Sequence, residues 1–333
     1  MNATWVWILV AGMSSGSFAM PSKKLKRLTW YQAWLVYAVM ANLVLPMSLA
    51  ILFAPGLFSQ VLFKNPAAVA IVVGCGASWG VGAFLWAVSF SRLGYALSAS
   101  LVNGTVVLVG SLSPLIIGAA RIPAGQGGRL ALGLSLVVGA ISLCTWASVM
   151  RDHDAGTPAG AKATVGGSLA AIAVAVLSGL FSSTINAGFA FGGGLIAKAT
   201  AAGIPAAPAS LAVWVPVFCG GFVVNMTGCI WKIGRDGNWN NFRKAPRTDW
   251  LRAISLGFLW LGGFLTYGVC SRLLGEAGTV YGFAVFIGTA LLTSTSWGIG
   301  TGEWRKARLK ARLCLIAGVA LFLTALAVLA FKK

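Results

Sequence analysis

The sequence predicts an all-α integral membrane protein of ten transmembrane helices in a five-plus-five inverted repeat, both termini on the outer side. Three observations carry that prediction: extreme apolarity, ten bounded apolar runs of spanning length, and a twelve-residue match between the two halves of the chain.

The 333 residues are 58% hydrophobic and 9% charged, with a mean hydropathy of +0.86. Soluble domains carry about 25% charged residues, which excludes that class here. Runs of about 20 apolar residues suit spanning helices, whereas a barrel strand needs only about 10 residues of alternating pattern. A net charge of +19 would suggest nucleic acid in a soluble protein. Here the cations cluster between apolar runs, so they report orientation in a lipid bilayer, and no nucleic-acid partner is expected. The six cysteines (Cys75, Cys144, Cys219, Cys229, Cys270 and Cys314) all fall inside apolar runs without metal-ligand spacing, and are read as small apolar residues at helix contacts. No cofactor is implied. No cation precedes the first apolar run, so it reads as a retained helix rather than a cleaved signal.

The runs lie at about 3–20, 31–54, 67–91, 95–119, 129–150, 167–190, 208–231, 250–271, 278–301 and 312–331. The first closes unusually, with Ser14, Ser15, Gly16 and Ser17 ahead of Pro21 and the cations Lys23, Lys24, Lys26 and Arg27. The Gly- and Ala-rich segment 192–207 reads as a loop or a short helix. Trp5, Trp7, Trp30 and Trp304 sit at run borders and read as interfacial belt residues. Loops after helices 1, 3, 5, 7 and 9, with their flanks, hold 18 of the 25 cations. The other seven are Lys64, Arg121, Arg129, Lys198, Arg272, Lys332 and Lys333. Odd-numbered loops therefore face the cytoplasm. The organisation read from this is a first five-helix repeat over 1–150, a cytoplasmic linker over 151–166 and a second repeat over 167–333.

Residues 82–93 (GAFLWAVSFSRL) match 262–273 (GGFLTYGVCSRL) at an offset of 180, and helix 1 (VAGMSSGSFAM) echoes helix 6 (AVLSGLFSSTIN). Five helices per unit is an odd number, so the second copy enters the membrane from the opposite side. Secondary transporters use that architecture, with the substrate near the midplane.

Several stretches, in order, are similar to the L-rhamnose–proton symporter family: GSFAMPSKK (16–24), LTWYQAW (28–34), SWGVG (78–82), TINAGFAFG (184–192), VWVPVF (213–218), LWLGGFLTYGV (259–269) and SWGIGTGEW (296–304). The resemblance spans about residues 8 to 305. It implies the drug/metabolite transporter fold, a bacterial cytoplasmic (inner) membrane location, and sugar import by alternating access with protons as the coupling ion. An exporter or uniporter of another small neutral metabolite, and a non-transporting sensor, are the alternatives. No histidine or carboxylate falls inside a run, which argues against a membrane-embedded enzyme.

A neutral sugar needs hydroxyl and amide partners and an aromatic wall. Asn186 is the leading substrate-binding candidate, followed by Asn103 and Asn225, with Trp79 and Trp214 as walls and Ser14, Ser17, Ser183, Tyr267 and Tyr281 as hydroxyl donors. Ser15, Trp86, Ser98, Ser100, Ser182 and Thr184 lie at similar depth. The proton-coupling candidate is Glu276, at the outer mouth of helix 9, whereas Glu303 reads as an interfacial ion pair beside Arg305 and Lys306. Gly16 and Pro21 are the gating candidates, on the reading that they weaken the inner end of helix 1.

Overall fold

The structure, a computed structural model, describes residues 3–93, 95–154, 165–275 and 278–330. The ten long helices are α1 (Ala3–Ser17), α2 (Trp30–Phe53), α3 (Pro66–Leu93), α4 (Tyr95–Ile116), α5 (Gly127–Asp154), α6 (Val165–Phe191), α7 (Leu211–Asp236), α8 (Arg247–Leu273), α9 (Gly278–Gly300) and α10 (Leu309–Ala330). Among the described residues nine helices are long and apolar enough to cross a membrane, and Leu101–Ile116 of α4 is a shorter apolar helix. Large apolar side chains such as Leu52, Val223, Phe258 and Ile316 are exposed on the flanks while others fill the interior. Helices that are apolar all round belong in lipid.

Helix starts and stops follow local chemistry. At α2 the Thr29 hydroxyl accepts from the Gln32 backbone N–H, and the Gln32 amide oxygen accepts from the Thr29 N–H, a reciprocal capping box. α1 ends at Ser17, and a 3₁₀ turn follows over Met20–Lys24 with Pro21 as its second residue. The Gly- and Ala-rich segment resolves into helices Gly193–Ala201 and Ala206–Ala209. α5 continues through Asp154, beyond the expected end at 150, and residues 155–164 of the expected linker lie outside the described residues.

The bundle is built from repeated neighbour relations. α1 packs along α8 and α9; α6 packs along α3 and α4; α2 lies against α7, and α5 against α10. Close approach decides these contacts. A Cβ at Gly76 on α3 would collide with the Val217 carbonyl of α7, so those backbones touch directly. In α2 the helix widens into a π turn over Met40–Val44, with the Leu45 N–H bonding the Met40 carbonyl. Pro46 follows. Proline has no N–H to give the Asn42 carbonyl, and its ring crowds that oxygen, which accounts for the local widening.

One end of the bundle is tied by polar groups from the basic loops. The fully buried Asp249 carboxylate, at the start of α8, accepts the backbone N–H groups of Lys26, Arg27 and Leu28 at 2.7–3.1 Å and pairs with Arg252. It thereby fixes the chain between α1 and α2. Gln32 donates to the Asn238 carbonyl at 2.7 Å, and Arg308 pairs with Asp154. At the far end Lys198 bonds Asn65, and Arg129 donates to the carbonyls of Val328 and Leu329.

Candidate functional site

Trp79 and Trp260 each stand at the middle of a long helix, α3 and α8, and their indoles stack with centroids 5.2 Å apart and planes 22° apart. Trp260 also meets Tyr37 edge-on at 5.7 Å, Phe218 at 5.2 Å and Phe264 at 4.3 Å. From there ring contacts run on through Trp214, which stacks on Phe218 at 5.1 Å and on Phe189 at 4.5 Å. The column ends at Tyr267 and Phe286, stacked at 5.0 Å. Toward the basic end Tyr37 continues to Trp34 at 4.7 Å. An aromatic spine therefore crosses the bundle with an indole pair at its centre. In this conformation each indole of the pair turns a face to the other, and both side chains are buried.

The expected polar candidates separate into three groups. Asn186 is fully buried, and its amide nitrogen donates to the carbonyls of Gly110 at 2.8 Å and Thr279 at 2.9 Å, while its oxygen accepts from the Tyr267 hydroxyl. Both amide hydrogens are thus taken by the protein. In this conformation Asn186 and Tyr267 form a knot joining α6, α4, α9 and α8 and present no donor to a ligand. Asn225 is also engaged, donating to the Gly221 carbonyl and accepting from the Trp34 indole N–H, each at 2.9 Å.

The hydroxyls of the second group bond backbone. Ser14 donates to the Leu259 carbonyl on α8, Ser17 to Met13, Ser183 to Leu180 and Thr184 to Cys75. Ser17 also accepts from the Trp297 indole at 2.8 Å, which links α1 to α9. The backbone acceptors lie on the same or neighbouring helices, so these groups act first as helix contacts.

The third group is buried and, among the described residues, meets no hydrogen-bond partner: the Trp214 indole nitrogen, the Tyr281 hydroxyl and the Ser98 hydroxyl. Asn103 on α4 is half-buried, as is Trp86 on α3. The side chain of Ser100 and the whole of Glu276 lie outside the described residues. Among the described residues no cluster of His, Cys, Asp or Glu has the makings of a metal site.

Sequence reasoning passed over Tyr37, Asn42 and Trp260. Asn42 has a legible signal, an amide four residues ahead of a proline inside an apolar run, where the missing N–H distorts the helix. Of the expected belt residues, Trp7 and Trp30 are exposed, but Trp5 and Trp304 are buried, and the Arg151 guanidinium covers the Trp304 ring at 5.2 Å.

Gly16 lies against the Ala290 carbonyl of α9, and Pro21 stands in the turn that carries Lys23. The Lys23 ammonium and the Arg151 guanidinium both pair with Glu303, joining the ends of α1, α5 and α9. Partial burial pushes the Glu303 carboxyl up, but Lys23, Arg151 and the Thr301 hydroxyl outweigh it and hold the group below its ordinary value. The stabilisation it contributes is therefore complete above the unfolded carboxylate pKa, about 4.3, and is lost as pH falls through the lower folded value. Over that window the thermal midpoint of the wild type should drop more than that of Glu303→Gln. The pair's contribution to stability should stay under about 1 kcal/mol because it is partly solvated. Parallel curves would show that the pair contributes nothing.

A family model described as "L-rhamnose-proton symport protein (RhaT)" matches residues 1–243. The chain belongs to that family. Among curated relatives, an L-rhamnose-proton symporter of Cronobacter sakazakii is 25% identical over 236 residues, 70% of this chain and 67% of the relative. One from Klebsiella pneumoniae is 25% identical over 264 residues, covering 78% and 76%. One from Yersinia pestis is 23% identical over 271 residues, covering 79% and 78%. The chain is accordingly a multi-pass protein of the bacterial inner membrane, from a family of transporters, and the expected resemblance holds.

Proposed function

We propose that this member of the family is a secondary transporter that imports L-rhamnose or a similar deoxysugar by alternating access, coupled to protons. The observation that carries the sugar reading is the stacked Trp79–Trp260 pair at the centre of the bundle, an apolar face amid buried polar atoms. A 6-deoxysugar combines hydroxyl-bearing edges with apolar C–H faces, a chemistry that aromatic rings beside polar atoms match. The names of the relatives supply the substrate and the coupling ion. Glu276 remains the proposed coupling group, and Asn103, Tyr281, Trp214 and Ser98 the proposed pathway residues. In this reading Asn186, Tyr267 and Asn225, with the serines Ser14, Ser17 and Ser183, support the pathway by joining its helices.

The proposed scaffold is the five-plus-five inverted repeat, 1–150 and 167–333, with ten spans including Tyr95–Ile116 and both termini outside. Packing supports it at matched positions. A Cβ at Gly12 would lie 2.5 Å from Thr289 Cβ and 2.8 Å from the Phe286 carbonyl; one at Gly179 would lie 2.5 Å from Thr105 Cβ and 2.9 Å from the Val102 carbonyl. Gly82 approaches Ser178 and Ser182 on α6 as Gly263 approaches Ala11 and Ser15 on α1. Gly76 meets α7 as Gly257 meets α2. Gly76, Trp79 and Gly82 thus correspond to Gly257, Trp260 and Gly263 at an offset of 181, one residue beyond the sequence match. In this register Trp79 and Trp260 are equivalents that meet each other across the pseudo-twofold axis.

The test is uptake of labelled L-rhamnose into proteoliposomes with and without an inward proton gradient. Gradient-driven accumulation is expected, reduced at least tenfold in Glu276→Gln. Equilibration without accumulation would favour a uniporter, a reading encouraged by the placement of all six carboxylates outside the apolar runs. No flux of L-rhamnose or other deoxysugars would overturn the sugar assignment.

A further inference from the structure

The buried amides of the spanning helices are not alike. Asn186 and Asn225 are bonded within the protein. Asn42 is fully buried, yet among the described residues neither its amide nitrogen nor its oxygen has a partner. It stands at the middle of α2, Trp30–Phe53, where an unbonded amide is costly because lipid supplies no hydrogen bond. It also sits inside the π turn Met40–Val44, a helix distortion that recurs at functional sites.

Its surroundings point the same way. The π turn packs against both α7 and α8, and Gly257 of α8 admits Met40 and Ala41 at close range. One helical turn along α8 from Gly257 is Trp260, whose ring lies 5.2 Å from Phe218 of α7. The hydroxyl of Tyr37, on α2, is a second fully buried polar atom without a partner among the described residues, and the Tyr37 ring abuts Trp260. Among the described residues, one stretch of α2 therefore holds two buried polar side chains without a partner, the Asn42 amide and the Tyr37 phenol, and the Tyr37 ring meets an indole.

We propose that Asn42 and Tyr37 are the hydrogen-bonding half of a monosaccharide subsite at the bilayer centre, and that Trp260 is its stacking wall. This deepens the sugar reading above and rests on it. An amide offers a donor and an acceptor side by side, matching two adjacent ring hydroxyls, and a phenol adds a third contact. The apolar face of the sugar lies on the indole. Orientation follows from the fixed backbone of the π turn, so the subsite needs no charged group to select a neutral ligand.

The experiment is titration of purified full-length protein with L-rhamnose, followed by isothermal calorimetry, for wild type, Asn42→Leu and Tyr37→Phe. Sugar-free thermal midpoints are measured alongside. Leucine is close to asparagine in volume and leaves no unbonded polar atom. Asn42→Leu is expected to weaken binding at least tenfold while its thermal midpoint holds or rises. Tyr37→Phe keeps the ring contacts and should weaken binding about fivefold by loss of one hydrogen bond; it carries the test if the leucine variant fails to fold. Wild-type binding with both folded variants within twofold of it would overturn the subsite and leave the sugar reading standing. Absence of wild-type binding to L-rhamnose, L-fucose and L-mannose would overturn the sugar reading and the subsite together.

Discussion

Trp260→Ala is expected to reduce sugar uptake by two orders of magnitude per folded molecule, the largest effect of any substitution in the spine. Three kinds of loss coincide at this position. The indole touches Trp79, Tyr37, Phe218 and Phe264, so its removal opens a cavity where four rings meet and costs about 3–5 kcal/mol of stability. It removes the flat face on which the proposed ligand stacks. It also frees Tyr37, whose edge-on contact with Trp260 helps to set its hydroxyl. Trp260→Phe separates these effects, because it keeps an aromatic face and most of the packing; uptake should return to within about tenfold of wild type. The assay is initial-rate uptake in proteoliposomes normalised to monodisperse protein. If Trp260→Ala loses stability but each folded molecule transports at the wild-type rate, the indole is core packing alone. Trp79→Ala is the matched comparison, since it deletes the facing indole of the stack while leaving the Tyr37 contact in place.

Nine helices among the described residues, long and apolar enough to cross a membrane, are legible in the sequence because lipid imposes a simple rule: about 20 apolar residues bounded by charge or by helix-ending residues. The observed helix ends fall within a few residues of the expected ones, with α5 and α7 extending further at the basic end because polar helical turns there carry no apolar signal. Asn186 was legible as a buried amide, but not as a knot. Its partners, the Gly110 and Thr279 carbonyls and the Tyr267 hydroxyl, lie on three other helices, and the sequence holds no trace of which groups meet it. Trp260 carries no such signal in the sequence, because an indole in a spanning run announces no partner. Repeat register shows the same limit. The match at 180 is weighted by Gly, Phe and Leu, which recur by composition in apolar helices. The proposed register of 181 rests on positions where backbones touch, and only contacts reveal those.

Gly16 is the second position where a large effect is expected, and its surroundings change what the substitution can test. On sequence grounds a bulky residue there should impair transport and leave insertion intact. In the structure the place of its Cβ is taken by the Ala290 carbonyl, with Thr293 Cβ only 2.8 Å from it, so α1 and α9 are in backbone contact. Gly16→Leu cannot be accommodated by a rotamer change; it must separate two helices, and loss of monodisperse protein is the expected result. Gly16→Ala is the informative variant. Gly12, one turn away, abuts the same helix at Thr289 and the Phe286 carbonyl, so Gly12→Ala imposes a comparable wedge further from the 3₁₀ turn that holds Pro21. Each alanine should cost about 1–3 kcal/mol in thermal stability. If the end of α1 rocks during alternating access, as proposed for Gly16 and Pro21, Gly16→Ala should slow uptake at least tenfold more than Gly12→Ala at matched destabilisation. The reason is mechanical: a wedge near a hinge alters the balance between two packings, whereas the same wedge within a rigid contact alters both packings alike. Equal uptake from the two variants would place Gly16 in the rigid α1–α9 seam and remove it from the gate.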